Sequence, residues 1–274
     1  MSLLDSIIYG LISGLAELLP VSALSHQTLL LRLMGETQRD PIRDLFIHIA
    51  VILALITACR PMLSRLQRER RIVHSKRRGI GHTANGLYDL RLIKTAAVPL
   101  IICSLLTVST NKLGNSLIYI ALFSLINGLI LIAPEYMRSG NKDARSMTGL
   151  DGIIFGLCGA LSVFPGISRI ACLHTYASAR GVSKQNGLNW ALLLSIPALV
   201  LYCAIDILGV FTVTLNTISF SIFAGYIFSA LSAFLGGYAA ITIAQFLTVR
   251  TGFSGFAYYS LGLSFFSMIL YLIA

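Results

Sequence analysis

Long apolar segments recur along the chain and are separated by short polar stretches. A helix of about 20 apolar residues spans the roughly 30 Å hydrocarbon core of a bilayer. Six segments approach or exceed this length: Ile42–Cys59, Leu92–Thr110, Leu117–Ala133, Gly187–Leu208, Ile218–Leu247 and Phe253–Ala274. The pattern therefore predicts an all-α integral membrane protein with about six transmembrane helices. Because the segment 218–247 is longer than one span, we expect it to be tilted, or broken near Gly236 and Gly237.

Two further apolar segments are interrupted by polar residues and proline. The segment Leu3–Leu31 contains Glu17, Pro20, Ser22, Ser25 and His26, and the segment Leu150–Arg180 contains Pro165, Gly166, Ser168 and Arg169. Non-helical backbone and polar groups are tolerated at membrane depth only where they are buried in protein or line a wet cavity. Both segments, 3–31 and 150–180, are therefore predicted to be re-entrant helical hairpins.

The two interrupted segments also resemble each other, which indicates an internal repeat. Ile7-Ile8-Tyr9-Gly10-Leu11 matches Ile153-Ile154-Phe155-Gly156-Leu157, and each continues to a proline followed by serine. Each hairpin precedes three spans, and an odd number of crossings inverts the second unit. We predict one membrane domain, 1–274, of two inverted repeats, 1–135 and 150–274, with an anion site where they meet. Chance similarity of two glycine- and leucine-rich stretches is the alternative.

Composition and charge exclude several classes of protein. Hydrophobic residues make up 56% of the chain and charged residues 12%, about half the charged fraction of a soluble domain, and the mean hydropathy is +0.80. This excludes a soluble enzyme and a secreted disulfide scaffold. The net charge is +10, but ten of the 21 basic residues lie within 60–94. That segment is predicted to be a cytoplasmic loop that sets the topology, and no nucleic-acid partner is expected.

Ionisable side chains inside the hydrophobic segments are the candidate functional residues. Each costs about 2.5–3.5 kcal/mol in hydrocarbon, so Glu17, His26 and Arg169 need partners or a wet cavity. Glu17 and His26 flank the first break, and Arg169 follows the second, beside backbone N–H groups suited to phosphate. Together they indicate binding of an anionic lipid headgroup, phosphate or diphosphate, and phosphoryl transfer. The alternative is a buried structural pair of Glu17 and Arg169, with His26 hydrogen-bonded nearby.

Two motifs identify a family resemblance. Leu15-Ala16-Glu17-Leu18-Leu19-Pro20-Val21-Ser22 with the following His26, and Phe164-Pro165-Gly166-Ile167-Ser168-Arg169, resemble the two signature motifs of the bacitracin-resistance type undecaprenyl-diphosphate phosphatases. Asp44 and His48 resemble the acidic-to-His/Gln stretch in the first full span of that family. The resemblance covers nearly the whole chain, including the order and spacing of the motifs.

The resemblance implies a fold, an activity and a location. The fold has six spanning helices and two re-entrant hairpins in inverted repeats. The enzyme removes the terminal phosphate of undecaprenyl diphosphate, a polyprenyl diphosphate lipid, and regenerates the carrier for peptidoglycan and other envelope polymers. The location is the bacterial cytoplasmic membrane, with the active site facing its outer side. The oligomeric state, a homodimer included, stays open.

The resemblance also implies roles for individual residues. Glu17 would hold metal or diphosphate, His26 would act as base or nucleophile, and Arg169 would clamp phosphate. A divalent cation, Mg²⁺ or Ca²⁺, would offset the diphosphate charge. The expected substrate-binding residues are Ser22, Ser25, Ser168 and Gly166.

The chain departs from the family pattern at four polar positions, which leaves two hypotheses open. Ser13 replaces a second carboxylate, Ala23 a hydroxyl residue, Ile170 a serine and Leu173 a threonine. Under the first hypothesis the chain hydrolyses polyprenyl diphosphate with this reduced set, and Ser22 or Ser25 substitutes for the missing hydroxyl. Under the second it is a non-hydrolytic polyprenyl-phosphate transporter (flippase) or sensor on the same scaffold.

Overall fold

A computed structural model describes residues 1–36, 38–77, 88–138, 140–211 and 220–273. These residues form α-helices and three short 3-10 helices, with no strand among them. The α-helices are α1 (Leu3–Leu18), α2 (Ala23–Leu33), α3 (Pro41–Ala58), α4 (Arg60–Arg77), α5 (Tyr88–Ser104), α6 (Thr107–Gly114), α7 (Leu117–Ile132), α8 (Gly149–Ala160), α9 (Arg169–Ala179), α10 (Lys184–Val210), α11 (Phe220–Arg250) and α12 (Ser254–Ile273).

The predicted all-α membrane architecture is confirmed. Within the described ranges, six helical segments are long and apolar enough to cross a membrane, and each overlaps a predicted one. They are Pro41–Ala58, Tyr88–Thr110, Leu117–Tyr136, Lys184–Val210, Phe220–Arg250 and Ser254–Ile273. The protein is therefore a multi-pass membrane protein. Helix α11 runs without a break through Gly236 and Gly237, and both glycines lie against neighbouring helices.

Two parts of the basic segment 60–94, which was predicted to be a loop, are helical. Residues 60–77 form helix α4, and residues 88–94 begin helix α5, while 78–87 lie outside the described residues. Arginine, leucine, glutamine and glutamate favour helix, which explains α4. The guanidinium of Arg65 lies 2.8 Å from the Asp89 carboxylate, and Glu69 accepts a hydrogen bond from the Leu90 N–H. These contacts fasten α4 to the start of α5.

Both interrupted segments form a helix, a break and a second helix. Each first helix begins with a capping box, Ser2 with Asp5 in α1 and Thr148 with Asp151 in α8. Each second helix is capped by the serine that follows the proline of the break. These equivalent caps agree with the sequence repeat. Insertion of the hairpins as re-entrant segments, and the inverted orientation of the repeats, stay predictions.

Close packing between α1 and α11 places the first hairpin against the rest of the protein. A Cβ atom on Gly14 would lie 2.2 Å from the Ala233 carbonyl oxygen, and one on Gly10 would lie 2.2 Å from the Ser229 carbonyl oxygen. Small residues allow such close approach of helix backbones in membranes. The glycines of α1 therefore fix the hairpin at its observed distance from α11.

Gly14→Ala is expected to lower the stability of the protein by about 1–3 kcal/mol, because the added methyl group forces α1 and α11 apart. The midpoint of thermal unfolding in detergent measures the effect. Gly262→Ala is the matched control, since nothing lies within 4 Å of a Cβ at that position in α12. An equal midpoint for the two variants would contradict the packing argument.

Candidate functional site

The two helix breaks meet at a cavity of about 260 Å³. Its wall also includes residues from the N-terminal half of α3 and the C-terminal part of α10. The structure thus places four of the predicted site residues, Glu17, Ser22, Ser168 and Arg169, around one space. The other charged or polar lining residues used below are Gln27, Arg39, Asp44, His48, Tyr202 and Asp206.

Glu17 and Arg169 form an ion pair that joins the two hairpins. Arg169 Nη2 lies 3.1 Å from Glu17 Oε2, and both side chains are buried. Arg169 Nη1 donates to the Ser195 carbonyl oxygen at 3.4 Å, and the guanidinium carbon lies 5.4 Å from the centre of the Tyr202 ring. Among the described residues, no acceptor binds Arg169 Nε. The pair therefore holds the guanidinium in place and leaves a donor without a partner.

A second ionisable pair, His48 and Asp206, lies next to this contact. Neither residue is among the predicted site residues. His48 Nδ1 lies 2.5 Å from Asp206 Oδ2, and His48 Nε2 lies 3.9 Å from Glu17 Oε1. Because Asp206 binds Nδ1, the other ring nitrogen is directed toward Glu17. His48 was noticed only as part of a motif. Asp206 carried a clear signal, since a charged residue within an apolar span is a functional candidate by default.

Arg39 lies on another part of the wall and belongs to no motif. Its Nε donates to Asp44 Oδ2 at 2.9 Å, and its Nη2 donates to Gln27 Oε1 at 2.5 Å. Asp44 also accepts a hydrogen bond from the Tyr9 hydroxyl at 3.3 Å. The cavity is therefore lined by two arginines, each paired with a buried carboxylate.

The helix N-termini of α2 and α9 border the cavity. Ser22 Oγ accepts hydrogen bonds from the N–H of Ser25 and, at 2.9 Å, from the N–H of Gly166 in the other hairpin. Ser168 Oγ accepts from the N–H of Ala171 and donates to the Leu19 carbonyl oxygen. The two capping serines thus tie the hairpin tips together. Helix N-termini carry partial positive charge, so their convergence favours an anion.

Asn127 of α7 forms hydrogen bonds with the backbone of both helix breaks. Its Nδ2 donates to the Pro20 carbonyl oxygen at 3.2 Å, and its Oδ1 accepts from the N–H of Ser168 at 2.9 Å. Asn127 is buried and belongs to none of the sequence motifs. The only feature of the sequence that could have indicated it is that a polar residue stands alone in an apolar span.

Three predicted site residues lie outside the cavity lining. His26 Nδ1 lies 2.6 Å from the Ser22 carbonyl oxygen, and its Nε2 lies 2.6 Å from the Tyr259 hydroxyl. Ser25 Oγ bonds to Ser22 Oγ. Gly166 has a φ of +118°, and a Cβ there would lie 2.5 Å from the Ser124 nitrogen, so the turn requires glycine. The roles predicted for these three residues stay predictions.

The donor set bears on the predicted divalent cation. In the part of the chain that the structure describes, no three His, Cys, Asp or Glu residues converge to hold a metal ion. Glu17 Oε2 contacts Arg169, and Glu17 Oε1 faces His48. Mg²⁺ is commonly bound by one or two carboxylates together with substrate phosphates and water. The Glu17 carboxylate, which lines the cavity, is the kind of group that could hold such an ion together with substrate, and the described residues do not form a cage of protein ligands.

Over most of its length, the chain is similar to known proteins of a single family. A family model described as "Bacitracin resistance protein BacA" matches residues 6–266. The chain is 29% identical over 239 residues to "Undecaprenyl-diphosphatase 1" of Shouchella clausii, covering 86% of each protein. It is 27% identical over 267 residues to "Undecaprenyl-diphosphatase" of Carboxydothermus hydrogenoformans, covering 94% of each. The protein of that name from Gluconacetobacter diazotrophicus is 30% identical over 209 residues, 73% of each chain.

Proposed function

The chain belongs to the bacitracin resistance protein BacA family, and from this we propose that it is a membrane phosphatase that hydrolyses undecaprenyl diphosphate. The reaction breaks the bond between the terminal phosphorus and the bridging oxygen. Water supplies the new oxygen on the released phosphate, and the lipid keeps a monophosphate. The names of the relatives support this activity over transport or sensing without hydrolysis.

One observation carries the proposal, namely that a buried arginine–glutamate pair and two helix N-termini surround the same cavity. Phosphoryl transfer depends mainly on positioning and on stabilising charge at the phosphoryl oxygens. In the proposed complex, the guanidinium of Arg169, which lines the cavity, binds phosphate oxygens. The N-termini of α2 and α9 add backbone donors and positive dipole ends.

The charges of the residues that line the cavity support the proposal that the substrate binds together with a cation. Three carboxylates, Glu17, Asp44 and Asp206, face two guanidiniums, those of Arg39 and Arg169. A diphosphate group adds further negative charge to this balance. We propose that Glu17 would help to hold Mg²⁺ or Ca²⁺ when the diphosphate is bound. When bound, the ion would neutralise charge on the transferring group.

The position of the cavity supports a site on the outer side of the bacterial cytoplasmic membrane. Helix α3 begins with Pro41 in the cavity wall and ends beside the basic helix α4. The cavity and α4 are therefore at opposite ends of the same span. Because basic segments stay in the cytoplasm, α4 is proposed to lie inside and the cavity to open outside.

His26 contacts the cavity-lining residue Ser22 but faces Tyr259, and it is proposed to act as base or nucleophile once its ring leaves the Tyr259 hydroxyl and turns into the cavity. His26→Ala is then expected to lower the rate of phosphate release about a hundredfold, a modest value for general acid–base catalysis. Tyr259→Phe removes the competing hydrogen bond and keeps the stacked ring, so we expect it to retain or raise activity. An active His26→Ala variant would assign the proton transfer elsewhere.

Asp206 is proposed to be a positioning residue that orients His48 toward Glu17. Asp206→Asn keeps the shape but alters the hydrogen bond to His48 Nδ1, and is expected to lower kcat about 10–100-fold. Its effect on KM should be small if Asp206 does not contact substrate. Steady-state kinetics of phosphate release separate the two constants. A change confined to KM would argue for direct contact with the lipid.

The proposed function is tested with purified protein in detergent. Inorganic phosphate released from undecaprenyl diphosphate is measured with Mg²⁺, with Ca²⁺ and with EDTA. Micelles have no second compartment, so the assay reports hydrolysis and not transport. Catalytic release in the presence of either ion supports the proposal. Binding of the lipid without any release under these conditions would favour a transporter or sensor.

A further inference from the structure

Arg39 is a cavity residue that the proposed reaction has not yet used. It lies before the N-cap of α3, in the connection after α2, and not in either hairpin break. Its side chain is 29% exposed, whereas that of its partner Asp44 is 4% exposed. An arginine that reaches into a cavity from a buried anchor is available to a ligand there.

Two side chains of the protein hold the guanidinium of Arg39 in place. Asp44 binds its Nε, and Gln27 binds its Nη2. Both partners are themselves buried, and Asp44 receives a second hydrogen bond from Tyr9. A guanidinium has five N–H donors, and these two contacts use two of them. The orientation of Arg39 is thus set before any ligand binds.

Arg39 and Arg169 approach the cavity from different parts of the fold. Arg169 is held by Glu17 at the hairpin tips, and Arg39 is held by α2 and α3. A planar guanidinium matches the geometry of a phosphate group, and one such group is enough for a monophosphate. Two separately anchored guanidiniums around one cavity match a ligand with two phosphate groups.

We propose that Arg39 binds one phosphate of the lipid diphosphate while Arg169 binds the other, so that Arg39 selects diphosphate over monophosphate. This inference rests on the proposed function, and it assigns the residue that binds the second phosphate of the substrate. Hydrolysis removes one of the two phosphates, so the product keeps only one of the two arginine contacts. The monophosphate lipid therefore binds more weakly than the substrate, which favours product release.

The test measures binding of two soluble probes, methylene diphosphonate and inorganic phosphate, by calorimetry at a fixed Mg²⁺ concentration. Arg39→Gln is expected to weaken methylene diphosphonate binding about 10–100-fold, as for loss of a charged hydrogen-bond partner. Phosphate binding should change by less than about threefold, because Arg169 is intact. Arg39→Lys keeps the charge, so its affinity for methylene diphosphonate should lie between those of Arg39→Gln and the unmodified protein. Arg91→Gln, at an exposed arginine of α5 outside the lining, is the matched control and should match the unmodified protein.

Two results would overturn the assignment, and they are distinguishable from failure of the proposed function. Equal weakening of both probes in Arg39→Gln, or no weakening of either, removes Arg39 from diphosphate selection while hydrolysis by the unmodified protein stands. If the unmodified protein neither binds the probes nor hydrolyses the lipid, the cavity is not a phosphate site and both proposals fail. The unfolding midpoints of Arg39→Gln and Arg39→Lys show whether loss of binding reflects loss of fold.

Discussion

Arg169→Ala is expected to lower phosphate release from undecaprenyl diphosphate by about a thousandfold, the low end of the effect of an arginine that stabilises a phosphoryl-transfer transition state. The reason is the position of Arg169 at the start of α9, paired with Glu17 and with its Nε unpartnered. Initial rates at saturating lipid measure the effect. A rate within tenfold of the unmodified protein would contradict the role.

Loss of activity in Arg169→Ala must be separated from loss of fold. Removal of the guanidinium leaves the buried Glu17 carboxylate with only His48, 3.9 Å away, beside it, at a cost of about 3–5 kcal/mol. The double variant Glu17→Gln/Arg169→Gln removes both charges and should recover most of that stability. We expect this variant to have a near-normal unfolding midpoint and no measurable turnover. A stable and active double variant would mean that the pair is purely structural.

Removal of divalent cations is the second change with a large expected effect. Treatment with EDTA should lower phosphate release about a thousandfold, which corresponds to the several kcal/mol that a metal contributes at the transition state. Readdition of Mg²⁺ or Ca²⁺ should restore the rate. Because the described residues form no metal cage, the unfolding midpoint of the protein without lipid should not change.

Glu17→Gln gives an independent measure of the cation. The amide is a weaker ligand than the carboxylate, so about tenfold more Mg²⁺ should be needed for half-maximal activity. Arg65→Gln, outside the cavity, should leave this concentration unchanged. Full activity in EDTA, or a Glu17→Gln variant with an unchanged Mg²⁺ requirement, would contradict the proposed cation site.

The spans and the breaks could be predicted because each depends on local chemistry. Apolar length determines which segments cross a membrane, and the described structure has six such helices where six were expected. Pro20 and Pro165 end helices, and the serines that follow cap the next ones. The Glu17–Arg169 contact had been expected only under the alternative interpretation of a buried structural pair, because an ionisable side chain inside the membrane needs a partner or a wet cavity.

The remaining cavity residues could not be placed from local patterns. Asp206 lies 158 residues from its partner His48 along the chain, and only the packing of α10 on α3 brings them together. Arg39 lies in a connection, where an arginine is ordinarily solvated. His26 is near Glu17 in sequence, but α2 turns its ring toward Tyr259 of α12. Such contacts depend on how helices pack, which motif spacing does not encode.

If hydrolysis takes place in the cavity between the two hairpins, a side chain that fills this cavity must abolish it. Ala23 lines the cavity and carries no polar group, so Ala23→Phe blocks the space without removing any charge. Ala179→Phe, at an exposed position of α9, is the matched control. Ala23→Phe is expected to lower phosphate release more than about a hundredfold, because substrate can no longer be positioned, while the control retains activity. Equal rates for the two variants would contradict it.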